Sequence, residues 1–163
     1  MILGMSLSTF ATLHVIISLI GIVTGLVVLL GMLGGRKLDS WTAIFLATTV
    51  LTSVTGFLFP FTKLLPSHVF GIISLVVLAI ALLALYGLHL DGPWRWIYVA
   101  AAVLALYLNA FVGVVQAFQK LAFLQPFAPT QTEAPFIVAQ VVVLAIFVVL
   151  GFLAVKRFHP QIA

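Results

Sequence analysis

Cysteine is absent from the chain, and charged residues are scarce. Seven lysines and arginines and three aspartates and glutamates make up 6% of the 163 residues. Without thiols the chain has no disulfides, thiolate metal sites, iron–sulfur clusters or cysteine nucleophiles. Soluble domains carry about 25% charged residues, whereas here 64% of the residues are hydrophobic. This composition excludes an ordinary soluble fold.

The sequence consists mainly of five long apolar runs, and each is about long enough to cross a bilayer. The charged residues fall almost entirely in the gaps between them. We predict an all-α fold, a polytopic transmembrane bundle of five membrane-spanning helices that forms a single domain over residues 1–163. The first run is expected to be a retained helix, because a cleavable secretory signal has a basic segment before its apolar core. The helices are expected at about residues 6–33, 41–59, 68–88, 94–120 and 135–155.

The gaps contain residues that are typical of helix ends. Gly34 or Gly35 is expected to take the left-handed conformation that closes the first helix. Asp39 or Ser40 is expected to cap the second helix with its side chain. Pro60 is expected to end that helix, because proline cannot continue one.

The basic residues are divided unequally between the two ends of the predicted bundle. Five spans place the termini on opposite sides, and positive charge beside span ends favours the cytoplasm. We therefore predict that the N-terminus is outside and the C-terminus cytoplasmic. The lipid bilayer is the expected partner, and nucleic acid is not, because no basic stripe could follow a phosphate backbone. The predicted cytoplasmic side carries Arg36, Lys37, Arg95, Lys156 and Arg157, against Lys63 and Lys120 on the other side.

One face of the first helix consists of small residues and a histidine. His14, Ser18, Gly21 and Gly25 are spaced by four, three and four, which places them on one stripe. Ser18, Gly21 and Gly25 are expected to be helix-packing residues, because small side chains let helix backbones approach closely in lipid. The neighbouring helix belongs either to the same chain or to a second copy or another membrane protein.

Polar side chains inside a membrane are costly, so each is a candidate for function. Several fall at a similar depth towards the predicted outer surface, where they would form a small polar pocket with Gln131 and Glu133 in the loop above it. The alternative is that the threonines bond to their own helix and the amides only pair between helices. The candidate ligand-binding residues are His14, Thr52, Thr55, Asn109, Gln116 and Gln140.

A redox function is an alternative interpretation of the histidines. A haem b site needs two axial ligands at matched depth, and His14 and His68 are the two histidines on the outer side. No acidic residue lies within a span, so no other metal site is expected. No P-loop, H-E-x-x-H motif or Ser-His-Asp set is present. We assign no catalytic residue and leave the cofactor open between none, haem and quinone.

Several stretches of the chain together resemble a group of small bacterial inner-membrane proteins to which no activity is assigned. These are Leu51–Pro60, Gly71–Leu75, Trp94–Tyr98, Leu106–Gln116 and Ala128–Phe136. The resemblance implies the inner membrane of a bacterium, and nothing about chemistry.

The leading functional hypothesis is a non-enzymatic membrane protein that binds a small or lipid-like ligand, or a membrane partner, through the outer polar pocket. Two alternatives stay open: a haem- or quinone-binding redox protein, and a structural or accessory subunit of a membrane complex.

Overall fold

A computed structural model describes residues 1–161. The described chain folds into five α-helices with short connections. A turn of π-helix follows α3 at Leu83–Gly87, and a turn of 3-10 helix lies before α5 at Gln125–Phe127. The helices are α1 (Leu7–Leu33), α2 (Asp39–Gly56), α3 (Pro66–Leu82), α4 (Trp94–Lys120) and α5 (Ala134–Arg157).

Four of the helical segments are long and apolar enough to cross a membrane: Leu7–Leu33, Pro66–Gly87, Trp94–Lys120 and Ala134–Arg157. The α2 helix has 18 residues, among them five threonines and two serines, so its composition is more polar. The prediction of an all-helical protein of membrane type is therefore confirmed, with four helices that meet the requirement for a span.

The helix ends follow some of the predicted signals and not others. Gly35 has a φ of 69°. Around it, the Arg36 N–H donates to the Gly31 carbonyl at 2.8 Å and the Gly35 N–H to the Met32 carbonyl at 3.0 Å, which is a Schellman ending. The predicted cap of α2 is wrong, because Asp39 lies inside the first turn and its carboxylate pairs with Lys37 Nζ at 3.1 Å.

The α2 helix also ends three residues before the expected Phe59. The Phe57 and Leu58 N–H groups bond to the carbonyls of Val54 and Thr55, three residues back, which tightens the chain into a turn. The residue before a proline is disfavoured in helical conformation, and Pro60 follows closely. The chain between α2 and α3 is consequently longer than expected, and it contributes three phenylalanines to the site described below.

Helices α1 to α4 form a ring in which α1 contacts α2 and α4, and α3 contacts α2 and α4. We call the end that holds the α1–α2 turn the closed end, because a cluster of buried side chains fills it. The cluster includes Met32 of α1, Phe45 of α2, Leu78 of α3 and Leu106 of α4. The opposite end, where α1 and α3 begin and α2 and α4 finish, is the open end.

Two glycines of α1 set how closely the ring packs. A Cβ at Gly25 would lie 2.5 Å from Leu106 Cδ1 and 2.8 Å from the Phe45 ring. A Cβ at Gly21 would lie 3.2 Å from Asn109 Nδ2 and from Thr49 Oγ1. The small-residue stripe of α1 thus faces α2 and α4 of the same chain.

The α5 helix lies outside the ring, against α4 and α1. Its buried and half-buried residues include a series spaced alternately by four and three, the pattern of a coiled-coil seam. At the closed end, Arg95 Nη1 donates to the Val155 carbonyl at 2.9 Å and to the Phe158 carbonyl at 2.7 Å. This cation satisfies carbonyls that the end of α5 leaves unpaired. The seam residues are Phe136, Gln140, Val143, Phe147, Leu150 and Ala154.

Replacing Gly25 with alanine should destabilise the bundle by about 1–3 kcal/mol, the usual cost of overpacking a core. The added methyl would displace both Leu106 and Phe45. Gly113→Ala is the matched control, because a Cβ there meets Ile22 Cδ1 at an ordinary 3.4 Å. Unfolding in detergent, followed by circular dichroism, measures both variants. Equal unfolding midpoints would contradict the close approach at Gly25.

Candidate functional site

A cavity of about 560 Å³ lies between α1, α2, α3 and α4 towards the open end of the ring. Cavities of this size hold drug-sized molecules. Most of the surface that lines it is apolar, although eleven of the 28 lining residues have polar side chains. At its end-on mouth lie Phe61, Leu65, Ser67, Lys120 and Leu121.

The wall of the cavity between α1 and α4 is apolar and partly exposed. Val15 and Leu19 of α1 line the cavity and are also 36% and 55% exposed. Val112 and Gly113 of α4 line it opposite them. The cavity is therefore bounded on this side by apolar side chains that also contribute to the outer surface of the bundle.

Four of the six predicted ligand-binding residues line this cavity: His14, Thr52, Asn109 and Gln116. Thr55 contacts it indirectly, because its Oγ1 lies 2.8 Å from Nδ1 of His14. Gln140 lies on α5, outside the ring, where its Nε2 donates to the Phe111 carbonyl at 3.2 Å. The structure therefore brings five of the six together and separates Gln140 from them.

Asn109 is held in place by α1. Ser18 Oγ donates to Asn109 Oδ1 at 3.0 Å, and Asn109 Nδ2 donates to the Ser18 carbonyl at 3.4 Å. This pair fixes the amide orientation and joins α1 to α4 beside the cavity. Gln116 has only a long contact of 3.5 Å, from its Nε2 to Gln119 Oε1. Its amide is consequently the less constrained of the two.

The threonines of α2 bond back to their own helix. Thr48, Thr52 and Thr55 donate to carbonyls four residues earlier at 2.6, 2.8 and 2.6 Å. A hydroxyl has one proton, so each of these oxygens can only accept from any further neighbour. This constraint matters most at Thr55, which faces a histidine.

The proton of Thr55 determines the tautomer of His14. The contact of the Thr55 hydroxyl with the Leu51 carbonyl, 2.6 Å, is shorter than its 2.8 Å contact with His14 Nδ1, and a carbonyl can only accept. We therefore assign the Thr55 proton to that carbonyl and the proton of the longer contact to His14 Nδ1. In a neutral imidazole the other nitrogen then has a lone pair. We assign the tautomer from this geometry: Nε2 of His14 is an acceptor with no hydrogen-bond partner in the described chain.

His68 has the opposite arrangement. The backbone N–H of Leu65 donates to His68 Nδ1 at 3.0 Å, so in the neutral ring Nε2 must carry the proton. The contact also satisfies an N–H at the start of α3, as a capping box does. His68 is 5% exposed and lines the cavity. The cavity thus contains one imidazole acceptor, on His14, and one imidazole donor, on His68.

Neither Nε2 atom is enclosed by the described residues. Among the described residues, Gln140 Oε1 is the one enclosed side-chain polar atom that lacks a hydrogen-bond partner. The two Nε2 atoms make no hydrogen bond either, yet they are not enclosed, so they reach open space. Because both rings line the cavity, that space is available to a ligand.

Sequence reasoning did not anticipate the aromatic lining. Phe57, Phe59, Phe61 and Phe70 all line the cavity. The His14 and Phe59 rings meet edge to face with centroids 5.2 Å apart, and His68 lies 4.2 Å from Phe61. The repeated phenylalanines around Pro60 were the available signal. Ser53 and Ser74 were also missed; they line the cavity and bond to each other at 3.1 Å.

The loop before α5 does not cover the cavity as expected. Gln131 donates to the Val115 carbonyl at 3.2 Å and accepts from Gln119. Glu133 accepts from the Thr130 hydroxyl at 2.7 Å and from the Thr132 N–H at 3.0 Å. Both side chains therefore stabilise their own loop. Neither belongs to the cavity lining.

Metal binding has little support in the geometry. Within residues 1–161, no group of three or more His, Cys, Asp or Glu side chains is placed to hold a metal ion. An axial haem ligand offers an unprotonated nitrogen to the iron. His14 Nε2 meets that requirement, but both nitrogens of His68 are committed, one to the Leu65 N–H and the other to a proton. A haem with both histidines as ligands would require the cap of α3 to break.

Comparison with known proteins gives no match: no family model, curated protein or solved structure is similar to the chain. We therefore infer the function from the geometry of the cavity.

Changing Thr55 to valine should release the tautomer of His14. Valine offers no acceptor to Nδ1, so the neutral ring is free to carry its proton on Nε2. Nitrogen-15 chemical shifts of labelled protein distinguish the two forms. We expect the Nδ1–H form of His14 in the wild type and a shift towards Nε2–H in the variant. Thr48→Val is the control, because Thr48 bonds back in the same way without contacting a histidine. A wild-type ring already in the Nε2–H form would contradict the assignment.

The loop before α5 should loosen in acid. The Thr130 hydroxyl and nearby backbone N–H groups donate to the Glu133 carboxylate and lower its pKa below the usual range. The loop contacts are therefore complete above the unfolded-state pKa of about 4.3 and are lost as the pH falls through the lower folded-state pKa. Amide chemical shifts of Thr130 and Thr132 during acid titration measure the midpoint. The Glu133→Gln variant should show no such transition, and a midpoint above that of a free glutamate would contradict the assignment.

Proposed function

We propose that this protein binds a small amphipathic molecule of the membrane inside its four-helix cavity and has no catalytic activity. The observation that carries the proposal is the composition of the cavity, a space of about 560 Å³ with a mostly apolar surface and polar side chains among the residues that line it. Binding sites for small molecules have this composition, because apolar walls supply affinity and a few hydrogen bonds fix orientation. A structural role alone gives no reason for unpaired imidazole nitrogens beside an open space.

The route of entry supports a ligand that comes from the lipid. Val15 and Leu19 both line the cavity and are exposed, so only apolar side chains separate the cavity from lipid at this point. An amphipathic molecule could leave its tail between α1 and α4 while its head reaches His14 and Asn109. A strongly polar solute would have to enter by the end-on mouth beside Lys120.

We further propose that all five α-helices cross the membrane. Composition alone does not select α2, but its hydroxyls bond to its own carbonyls, which lowers the cost of placing them in lipid. The excess of basic residues at the closed end favours the cytoplasm for that end. The cavity would then open towards the outer surface. The resemblance noted above favours a bacterial inner membrane.

The small-residue stripe is not proposed as a contact for another chain. Gly21 and Gly25 are buried under side chains of α2 and α4, so a second protein could not reach them without opening the ring.

Filling the cavity should remove the bound molecule. Ala117 of α4 lines the cavity, and we expect Ala117→Trp to abolish co-purification of a small molecule that mass spectrometry detects in the wild type. Ala100→Trp is the matched control, because Ala100 lies on the same helix with an exposed side chain. The control should retain the ligand at wild-type occupancy. Equal occupancy in both variants, or a wild type that carries no molecule, would contradict the proposal.

A further inference from the structure

We infer that the ligand is a lipid-soluble hydroquinone, bound in preference to its oxidised quinone. This inference depends on the proposed function, because it names the chemical class that the cavity accepts. Its basis is the pair of histidine tautomers together with the aromatic lining between them.

The two histidines define what the head of the ligand must offer. Because Thr55 fixes the proton of His14 on Nδ1, Nε2 of His14 is an acceptor. The ligand must therefore offer it a donor. Because the Leu65 N–H donates to Nδ1 of His68, Nε2 of that ring is a donor. The ligand must therefore offer it an acceptor. A hydroquinone meets both needs: one hydroxyl donates to His14, and the oxygen of the other accepts from His68. The proton of that second hydroxyl needs an acceptor of its own, and Gln116 Oε1 lines the same cavity without accepting a hydrogen bond in the described chain.

The oxidised form meets only one of these needs. A quinone has two carbonyl oxygens and no proton to donate, so one oxygen would face the lone pair of His14 Nε2. The tautomer of His14 could reverse only if the Thr55 hydroxyl gave up its bond to the Leu51 carbonyl at 2.6 Å. A donor or acceptor left without a partner in a buried site weakens binding by about 5- to 150-fold.

The chain between α2 and α3 supplies flat surfaces between the two histidines. Phe59 contacts His14, while Phe57 and Phe61 contact His68 with ring centroids 5.6 and 4.2 Å away. Aromatic rings pack well against one another in offset or edge-to-face arrangements. This lining favours a planar head over the flexible chain of an aliphatic alcohol, and the apolar wall at Val15 and Leu19 suits an isoprenoid tail.

The test is equilibrium binding of decylubiquinol and decylubiquinone to the full chain in lipid nanodiscs, under anaerobic conditions, by titration calorimetry. We expect the quinol to bind at least about tenfold more tightly than the quinone. Farnesol, which has a hydroxyl and an isoprenoid chain but no ring, should not compete with the quinol. Equal affinities for the two redox forms, tighter binding of the quinone, or competition by farnesol would each overturn the inference.

A variant separates the histidine contribution from general binding. Thr55→Val frees the tautomer of His14, so the preference for the quinol should fall to about threefold or less while the quinone still binds. Thr48→Val removes a back-bonded hydroxyl of the same helix that does not line the cavity, and it should keep the wild-type preference. An unchanged preference in Thr55→Val would contradict the assigned contact.

The outcome also separates this inference from the proposed function. Loss of a co-purified molecule in Ala117→Trp, combined with no binding of decylubiquinol to the wild type, would leave the cavity as a binding site and overturn the hydroquinone. If an anionic lipid were the molecule found, the Lys120 mouth rather than the histidine pair would select the ligand, which would also overturn the inference.

Discussion

The structure depends on one constraint: inside a lipid bilayer no water is present, so polar groups must find their partners within the chain. Helix α2, which we propose also crosses the membrane, has hydrogen bonds that meet this constraint. Its threonines donate to carbonyls four residues back, which uses the single proton of each hydroxyl. What remains on Thr55 is a lone pair, and this lone pair orients the neighbouring imidazole of His14. The hydrogen-bonding character of the cavity is therefore set by a bond within a single helix.

Much of the fold could be predicted from the sequence because length and hydropathy determine a helix that crosses a membrane. The Gly35 ending was predictable for a local reason, since only a residue without a Cβ takes a positive φ easily. The cap at Asp39 failed because two local interactions compete for the same carboxylate. The nearby cation of Lys37 holds it at 3.1 Å, and the helix begins without a side-chain cap.

The depth of each candidate site residue in the bundle was predictable from the sequence, but the side of the helix that faces the cavity was not. In a ring of antiparallel helices, the number of residues from a helix end gives the depth of a side chain in the bundle. By this count, His14, Thr55 and Asn109 were expected to lie close together. Which face each helix presents to its neighbours depends on packing, which an apolar sequence does not specify. Gln140 lies at an appropriate depth but on the helix outside the ring. The phenylalanines after α2 and the capping role of His68 depend on a turn whose path is set by tertiary contacts.

The seam of α5 has a consequence for how this helix tolerates change. Residues spaced alternately by four and three meet the rest of the chain, while side chains such as Val141, Val148 and Phe152 are more than half exposed. Exchanging one exposed apolar side chain for another replaces one lipid contact with a similar one. The seam cannot change so freely, and it includes Gln140, whose buried Oε1 has no hydrogen-bond partner among the described residues. We therefore expect substitutions in α5 to be restricted at the seam positions, which repeat every seven residues, and to be tolerated at the exposed positions between them.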